Sequence, residues 1–308
     1  MHRFHHREFA DIDSLINSKR DQRIAVCIPT LNEASTIGDI VTSIRSELMD
    51  ASPLVNELLV IDSGSTDRTM EIAEQCGARA LRAADISPKH GHHTGKGENL
   101  WKALHACDAE ILCFIDGDLE NFSPKFVSGL LGPLLQDASI DYVKAFYERP
   151  IGEADRGGGR VTELLVRPLI SLFYPALSAV IQPLAGEYAG RRSLLETLPF
   201  PAGYGVEIAH LIDLLAAGKL ERCAQVDLEI RIHRNRSDSE LGDMAFAILR
   251  TIMLRLERDG MVQFAGPLPV EHGRWLTDGD QIKQLRSTPV IEERPAIQSS
   301  LKAARSME

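Results

Sequence analysis

Ile111-Leu-Cys-Phe-Ile-Asp-Gly-Asp118 opens as five consecutive apolar residues and closes on two carboxylates one residue apart. A short apolar run of this kind reads as a buried strand, and its polar end marks where strand opens into loop. Two carboxylates at that point can hold a divalent cation. Hard oxygen ligands suit Mg²⁺ or Mn²⁺, ions that keep waters and share their shell with phosphates. The same pattern also serves as a solvated turn or cap. Its neighbours must decide between the two.

Upstream of this stretch, strand and helix signals alternate. Ile24–Ile28 reads as a buried strand, and residues 35–49 read as a helix with Ser35 as candidate N-cap. Glu57–Asp62 is a second strand; Asp67 can cap a helix running to Gln75, and Gly77 would end it. Residues 78–82 make a short third strand, 97–106 a helix, and 110–115 the fourth strand. Alternation of this kind predicts an α/β fold, a mainly parallel sheet with helices on both faces. Ligands of such sheets bind beyond the carboxyl ends of the strands. Pro29, Asp62 and Asp116 all stand at those ends, so one cleft can collect them.

Downstream the character changes. Residues 124–136 read as a helix and 142–147 as a strand. A glycine-rich turn, Gly157-Gly-Gly-Arg160, then leads into an apolar stretch, residues 164–185, which Arg167, Pro168, Pro175 and Pro183 interrupt. A membrane-spanning helix is incompatible with those interruptions, and a buried, broken helical segment is expected. Gly203–Glu207 opens a helix to Ala217, and 224–232 reads as a strand leading into His233-Arg-Asn-Arg236. Residues 244–258 are amphipathic; the face of Phe246, Leu249, Met253 and Leu256 is either core or a homodimer surface. From His272 the chain is polar, without periodicity, and reads as a loosely held tail. The organisation expected is an α/β half over 1–150, a second, more helical half over 151–271, and the tail over 272–308.

The 308 residues are 44% hydrophobic and 25% charged, an ordinary globular composition, with a formal charge of -10. A surface of that sign excludes a nucleic-acid partner, though a local basic cluster can still take an anionic substrate. Five cysteines without C-x-x-C spacing, and no apolar leader at the start, point to reduced thiols in the cytoplasm.

Pro29-Thr-Leu-Asn-Glu33 and Asp62-Ser-Gly-Ser-Thr-Asp67, together with the Asp116-Gly-Asp118 pair, read as one sugar-nucleotide site. A uracil edge and a ribose diol need acceptors and backbone groups, which Glu33, Ser63 and the main chain near Pro29 and Leu31 can supply. Asn32, Glu33 and Asp62 could instead merely cap helices. Thr94-Gly-Lys-Gly97 fails the P-loop spacing, yet Lys96 ahead of a helix can meet a diphosphate. His90, His92 and His93 on that loop are poor candidates for a structural metal site. A metal on Asp118 with Lys96 nearby would neutralise the charge of a departing diphosphate. His233 is the candidate second protein ligand. Gly157-Gly-Gly-Arg160 is either an anion site, with Arg160 as a bidentate donor and Thr162 as a hydroxyl donor, or a hinge.

These first-half segments resemble the GT-A glycosyltransferase fold. The second half is narrower: Gly157-Gly-Gly-Arg-Val-Thr-Glu163, Gln182-Pro-Leu-Ala-Gly-Glu-Tyr188, Pro201-Ala-Gly-Tyr-Gly-Val-Glu207 and Ile232-His-Arg-Asn-Arg236 resemble the glucosyl-3-phosphoglycerate synthase family over residues 3 to 260. The resemblance implies metal-dependent transfer of glucose from UDP-glucose to the 2-hydroxyl of 3-phosphoglycerate, with retention. It implies that Pro29, Leu31, Glu33, Ser63, Lys96, Asp116, Gly117 and Tyr204 contact the donor and that Glu207 meets its sugar. Asp118 and His233 would hold Mg²⁺ or Mn²⁺, and Gly159, Arg160, Val161, Thr162 and Asn235 would seat the acceptor. Gly117 stands where related enzymes may carry serine, so only its backbone is available. Mannosyl transfer, a GDP-sugar donor, a polyprenyl-phosphate acceptor and a non-catalytic nucleotide-sugar-binding protein are the alternatives.

Overall fold

Alternate residues of the strand Ile24–Thr30 separate to opposite sides of one sheet, as a strand buried on both faces requires. The computed structural model describes residues 1–150, 159–232, 237–278 and 281–299. Its main sheet is built from β1 (His2–His5), β2 (Ile24–Thr30), β3 (Glu57–Asp62), β4 (Arg79–Arg82), β5 (Ile111–Phe114), β6 (Tyr142–Glu148), β7 (Tyr188–Arg191) and β9 (Cys223–Ile230). The two-residue β8 (Phe200–Pro201) stands apart from it. The spatial order is β1-β9-β6-β7-β5-β2-β3-β4. All neighbours are parallel except at β7, which runs antiparallel between β5 and β6 and joins two parallel halves. The GT-A reading of a mainly parallel sheet holds.

Helices cover both faces. Ile24, Val26 and Ile28 of β2 pack with α1 (Ile12–Lys19), α2 (Ile37–Arg45), α3 (Thr69–Gln75) and α5 (Lys125–Gln136). Ala25 and Cys27 face α4 (Lys96–Ala106), α7 (Arg192–Leu195) and part of α8 (Val206–Ala216). A third cluster joins α6 (Arg167–Phe173), α8 and α9 (Asp238–Arg258) through Ile170, Ile208, Ile212, Ile248, Ile252 and Leu256. The apolar face expected on 244–258 is thus used at least partly inside the chain: Leu256 is buried, Met253 packs on the cluster, and Phe246 stacks on His272. The proline-broken stretch divides into a π turn (Thr162–Val166), α6 and a 3-10 turn (Pro175–Ala179). No helix among the described residues is long and apolar enough to cross a membrane.

Three expectations are corrected. Ser35 does not cap α2, because the Glu33 carbonyl already receives the Thr36 and Ile37 amides; the Thr36 hydroxyl donates instead to the Gly117 carbonyl at 2.6 Å. The chain after His272 is not a loose tail as far as residue 299. It forms a hairpin of β10 (His272–Asp278) and β11 (Gln281–Ser287), then β12 (Glu293–Arg294), which pairs antiparallel with β8. The strands of β11 are exposed, so no buried face imposes an alternating pattern on their sequence. The helix expected from 244 begins earlier, at Asp238, behind a capping box of Ser237 and Glu240.

Candidate active site

Because β2, β3, β5, β6 and β9 are parallel, their carboxyl ends share one edge of the sheet. β7, running the other way, brings its amino end, Gly186 and Glu187, to that same edge. The cleft there is lined by Pro29, Leu31, Glu33, Ser63, Lys96, Asp116, Gly117, Asp118, Gly159, Arg160, Val161, Thr162, Tyr204 and Glu207. Residues far apart in the sequence are brought together in this one cavity. His233 and Asn235 lie outside the described residues.

The floor is an alternating charge network. Lys96, the first residue of α4, pairs with Asp116 at the end of β5 and reaches Glu207 Oε1 in the first turn of α8 at 2.9 Å. Arg231, one residue beyond β9, extends Nη2 to Asp116 Oδ2 at 2.9 Å and to Asp118 Oδ1 at 2.8 Å. Its Nε donates to Glu187 Oε1 at 2.9 Å. Glu187 is fully buried, and its other oxygen accepts the Tyr147 hydroxyl at 2.5 Å, to which Arg149 also donates. Burial opposes ionisation of Asp116, yet the Lys96 ammonium and Arg231 guanidinium overcome it and hold its carboxyl well below the usual range. Burial likewise opposes the charge on Lys96, and Asp116 with Glu207 more than compensates, so its ammonium is held protonated. Lys144, beneath them, donates to the Ala185 carbonyl at 2.7 Å; burial pulls it down to about 8 against the attraction of Glu207.

On the β2–β3 side, the ligand-or-cap question divides residue by residue. Asp62 is buried and spent on its own loop, accepting from the Gly64 and Ser65 amides at 2.8 Å each and from the Thr30 hydroxyl at 3.1 Å. Asp67 accepts from the Thr69 amide at 3.0 Å and the Ala34 amide at 3.2 Å, tying the start of α3 to the loop after β2. Ser63 and Glu33 face the cleft. The Ser63 hydroxyl donates to Asn99 Oδ1 at 2.9 Å, and Asn99 is fixed in turn by the Ile61 carbonyl at 2.8 Å. A Cβ on Gly117 would lie 3.1 Å from Thr30 Cγ2 and 3.3 Å from the Pro29 carbonyl, so this turn is tight.

Across the cleft, Gly159 has φ of +85° and its carbonyl receives the Glu163 amide at 3.0 Å, opening the helical run that continues into α6. The amides of Arg160, Val161 and Thr162 therefore lie in the first turn, at the positively polarised end of that helical run. That segment can take an anion in the same cleft that Lys96 and the carboxylates line.

Sequence reasoning passed over Arg231, Glu187, Tyr147, Arg149 and Asn99. The sequence places Arg231 inside a strand over 224–232; β9 ends at Ile230, which frees it to turn into the cleft. Glu187 falls within the quoted Gln182–Tyr188 segment, but its role carries no local signal, since its placement depends on the antiparallel β7. Asn99 could have been noticed three residues after Lys96, on the same helix face.

Residues 25–197 match the family described as glycosyl transferase family 2. A glucosyl-3-phosphoglycerate synthase of Petrotoga mobilis is 51% identical over 275 residues, covering 87% of this chain and 85% of the relative. One from Mycobacterium tuberculosis is 46% identical over 257 residues, covering 81% and 78%. A crystal structure of glucosyl-3-phosphoglycerate synthase from M. tuberculosis with Mn²⁺, UDP and phosphoglyceric acid superposes with a TM-score of 0.87 at 40% identity, over 97% of this chain and 99% of that one. Further crystal structures of that enzyme, with Mn²⁺, UDP-glucose and phosphoglyceric acid and with Mg²⁺ and UDP, each give 0.86 at 40% identity over the same shares.

Proposed function

Since the chain belongs to glycosyl transferase family 2 and, within it, to the glucosyl-3-phosphoglycerate synthases, we propose that it transfers glucose from UDP-glucose to the 2-hydroxyl of 3-phosphoglycerate, with retention at the anomeric carbon. The products are glucosyl-3-phosphoglycerate and UDP. The observation that carries this reading is a single cleft in which the Lys96–Asp116–Glu207 network faces the helix start at Gly159–Thr162. One wall suits a sugar diphosphate and the other a phosphorylated acceptor.

In this reading Pro29, Leu31, Glu33 and Ser63 hold the nucleoside, with Asn99 orienting the Ser63 hydroxyl. Lys96 meets the diphosphate; its pairing with Asp116 and Glu207 keeps it charged and pointed. Gly117 and Tyr204 complete the donor wall. The residues fit a hard divalent cation: Asp118 offers a carboxylate at a strand end facing the cleft. Asp118 and His233 would hold Mg²⁺ or Mn²⁺, which when bound supplies Lewis-acid neutralisation of leaving-group charge. Gly159, Arg160, Val161, Thr162 and Asn235 receive the acceptor's phosphate and carboxylate.

Glu207 is proposed to position the sugar, with the acceptor attacking from the face the diphosphate leaves. Its ion pair with Lys96 at 2.9 Å supports positioning over nucleophilic attack, because an ammonium partner lowers a carboxylate's reactivity. A cytoplasmic setting is supported by five unpaired cysteines.

The deciding experiment is UDP release by purified protein with UDP-glucose and 3-phosphoglycerate, with Mg²⁺ present and then chelated. Release that requires both substrates and the metal supports the synthase. GDP release from GDP-mannose, with no UDP release from UDP-glucose, would transfer the assignment to the mannosyl enzyme. No release with either donor would favour a binding protein.

A further inference from the structure

The segment from Val290 to Ile297, far in sequence from every cleft residue, is built into the back of the site. Arg294 is buried and forms a two-pronged ion pair with the fully buried Glu98: Nε to Oε2 at 2.6 Å and Nη2 to Oε1 at 2.7 Å. The same guanidinium donates to the His90 carbonyl at 2.6 Å and the Gly91 carbonyl at 3.1 Å. It also lies 4.9 Å from the centre of the Trp101 ring, whose indole N–H donates to the Pro295 carbonyl at 3.1 Å.

Glu98 is in the first turn of α4, two residues beyond Lys96. The opening amides of that helix are received by the loop after β8: the Gly97 amide by Gly203 at 3.3 Å and the Glu98 amide by Ala202 at 3.0 Å. A Cβ on Gly97 would fall 1.7 Å from the Pro201 carbonyl, so helix and loop meet backbone to backbone. That loop leads through Tyr204 into α8 and Glu207. Its other side is held by the C-terminal segment, through the Ala202 amide on the Glu292 carbonyl at 2.8 Å and the pairing of Phe200 with Arg294. Both ends of the Lys96–Glu207 ion pair are therefore braced by the same short stretch.

We propose that Arg294 is a positioning residue for Lys96, acting through Glu98, so that the C-terminal strand sets where the ammonium meets the diphosphate. This rests on the reading of Lys96 as a donor-diphosphate contact. A buried ion pair seldom adds stability over an apolar pair of equal volume, so geometry is the better account of this one. Arginine's planar fork matches a carboxylate in one orientation, which a helix start carrying a charged lysine can use.

The test compares Arg294→Met and Arg294→Lys with the wild type, with UDP affinity in the presence of Mn²⁺ and donor and acceptor KM as readouts. Arg294→Met should weaken UDP binding and raise donor KM by roughly 10- to 100-fold while leaving acceptor KM nearly unchanged. Arg294→Lys, which keeps the charge without the fork, should fall between and stands in where the methionine variant does not fold. Glu98→Gln should produce the same split, and the double variant Glu98→Gln/Arg294→Met should lose no more than the worse single one. A lowered melting temperature with UDP affinity and donor KM unchanged would overturn the proposal. A wild type that neither binds UDP nor turns over would instead sink the functional reading, and Lys96→Met with normal UDP affinity would sink the role of Lys96.

Discussion

Gly186 stands so close to Asp116 that a Cβ at position 186 would lie 2.1 Å from Asp116 Oδ2, and 2.3 Å from Lys96 Nζ. The antiparallel β7 therefore presents bare backbone to the ion pair at the centre of the cleft. Gly186→Ala should push that pair apart, with a stability cost of about 1–3 kcal/mol from overpacking. Turnover should fall far more than melting temperature, by roughly 100-fold. Steady-state kinetics beside thermal melting checks the contrast, and near-normal turnover would show that the pair tolerates displacement.

Arg231 shares its guanidinium between Asp116 and Asp118, so a dication held by Asp118 would sit beside a fixed positive charge. The diphosphate of UDP supplies the compensating negative charge. Mn²⁺ should accordingly bind weakly to the protein alone and at least tenfold more tightly with UDP present, and UDP should gain by the same factor from Mn²⁺. Titration calorimetry of each ligand with and without the other measures both. Arg231→Met should weaken this interdependence, while destabilising the fold by about 3–5 kcal/mol because Glu187 loses its buried partner.

Glu207→Ala removes the carboxylate opposite Lys96. If Glu207 positions the sugar, kcat should drop by roughly 10²-fold with UDP affinity little altered. A variant that keeps near-normal kcat would remove Glu207 from the mechanism.

Arg160 stands at the helix start across the cleft, where a bidentate guanidinium can take phosphate or carboxylate. Arg160→Ala should raise acceptor KM by roughly 10- to 100-fold, since a charged hydrogen bond contributes about 1.5–3 kcal/mol, and leave donor KM within a factor of about two. Equal effects on both substrates would count against an acceptor-phosphate role.

His210 is buried among Tyr142, Tyr188 and Phe200, and burial pushes its imidazole down to about 3 from 6.5. Between those values the unfolded chain binds a proton that the folded chain refuses. Stability is thus intact above pH 6.5 and falls as pH drops, by about 1.4 kcal/mol per unit from this group. Denaturant unfolding of His210→Phe across pH 4 to 7 should show a shallower slope than wild type. An unchanged slope would mean that other groups govern acid unfolding.

Much of this was legible beforehand. Ile24–Ile28, Glu57–Asp62 and Ile111–Ile115 are strands because their β-branched and apolar runs have no solvent face, and the helices between them force the parallel order. Asp116, Asp118 and Ser63 could be named because each stands just beyond such a run, and Lys96 because it opens a helix behind a glycine loop. The segment after His272 was misread because its strands meet solvent or are two residues long, and neither case leaves a hydrophobic period.

What the sequence determined by itself is the set of strand ends, since hydrophobic periodicity and turn chemistry are local properties. Only the tertiary structure decided what gathers at those ends. Running β7 against its neighbours carries Glu187 and Gly186 to the edge where Asp116 waits. Ending β9 at Ile230 turns Arg231 onto both carboxylates, and docking β12 beside β8 brings Arg294 to Glu98. Those pairings join residues between 70 and 196 positions apart. No local pattern encodes them, because a buried charge is stable only once the fold supplies its partner.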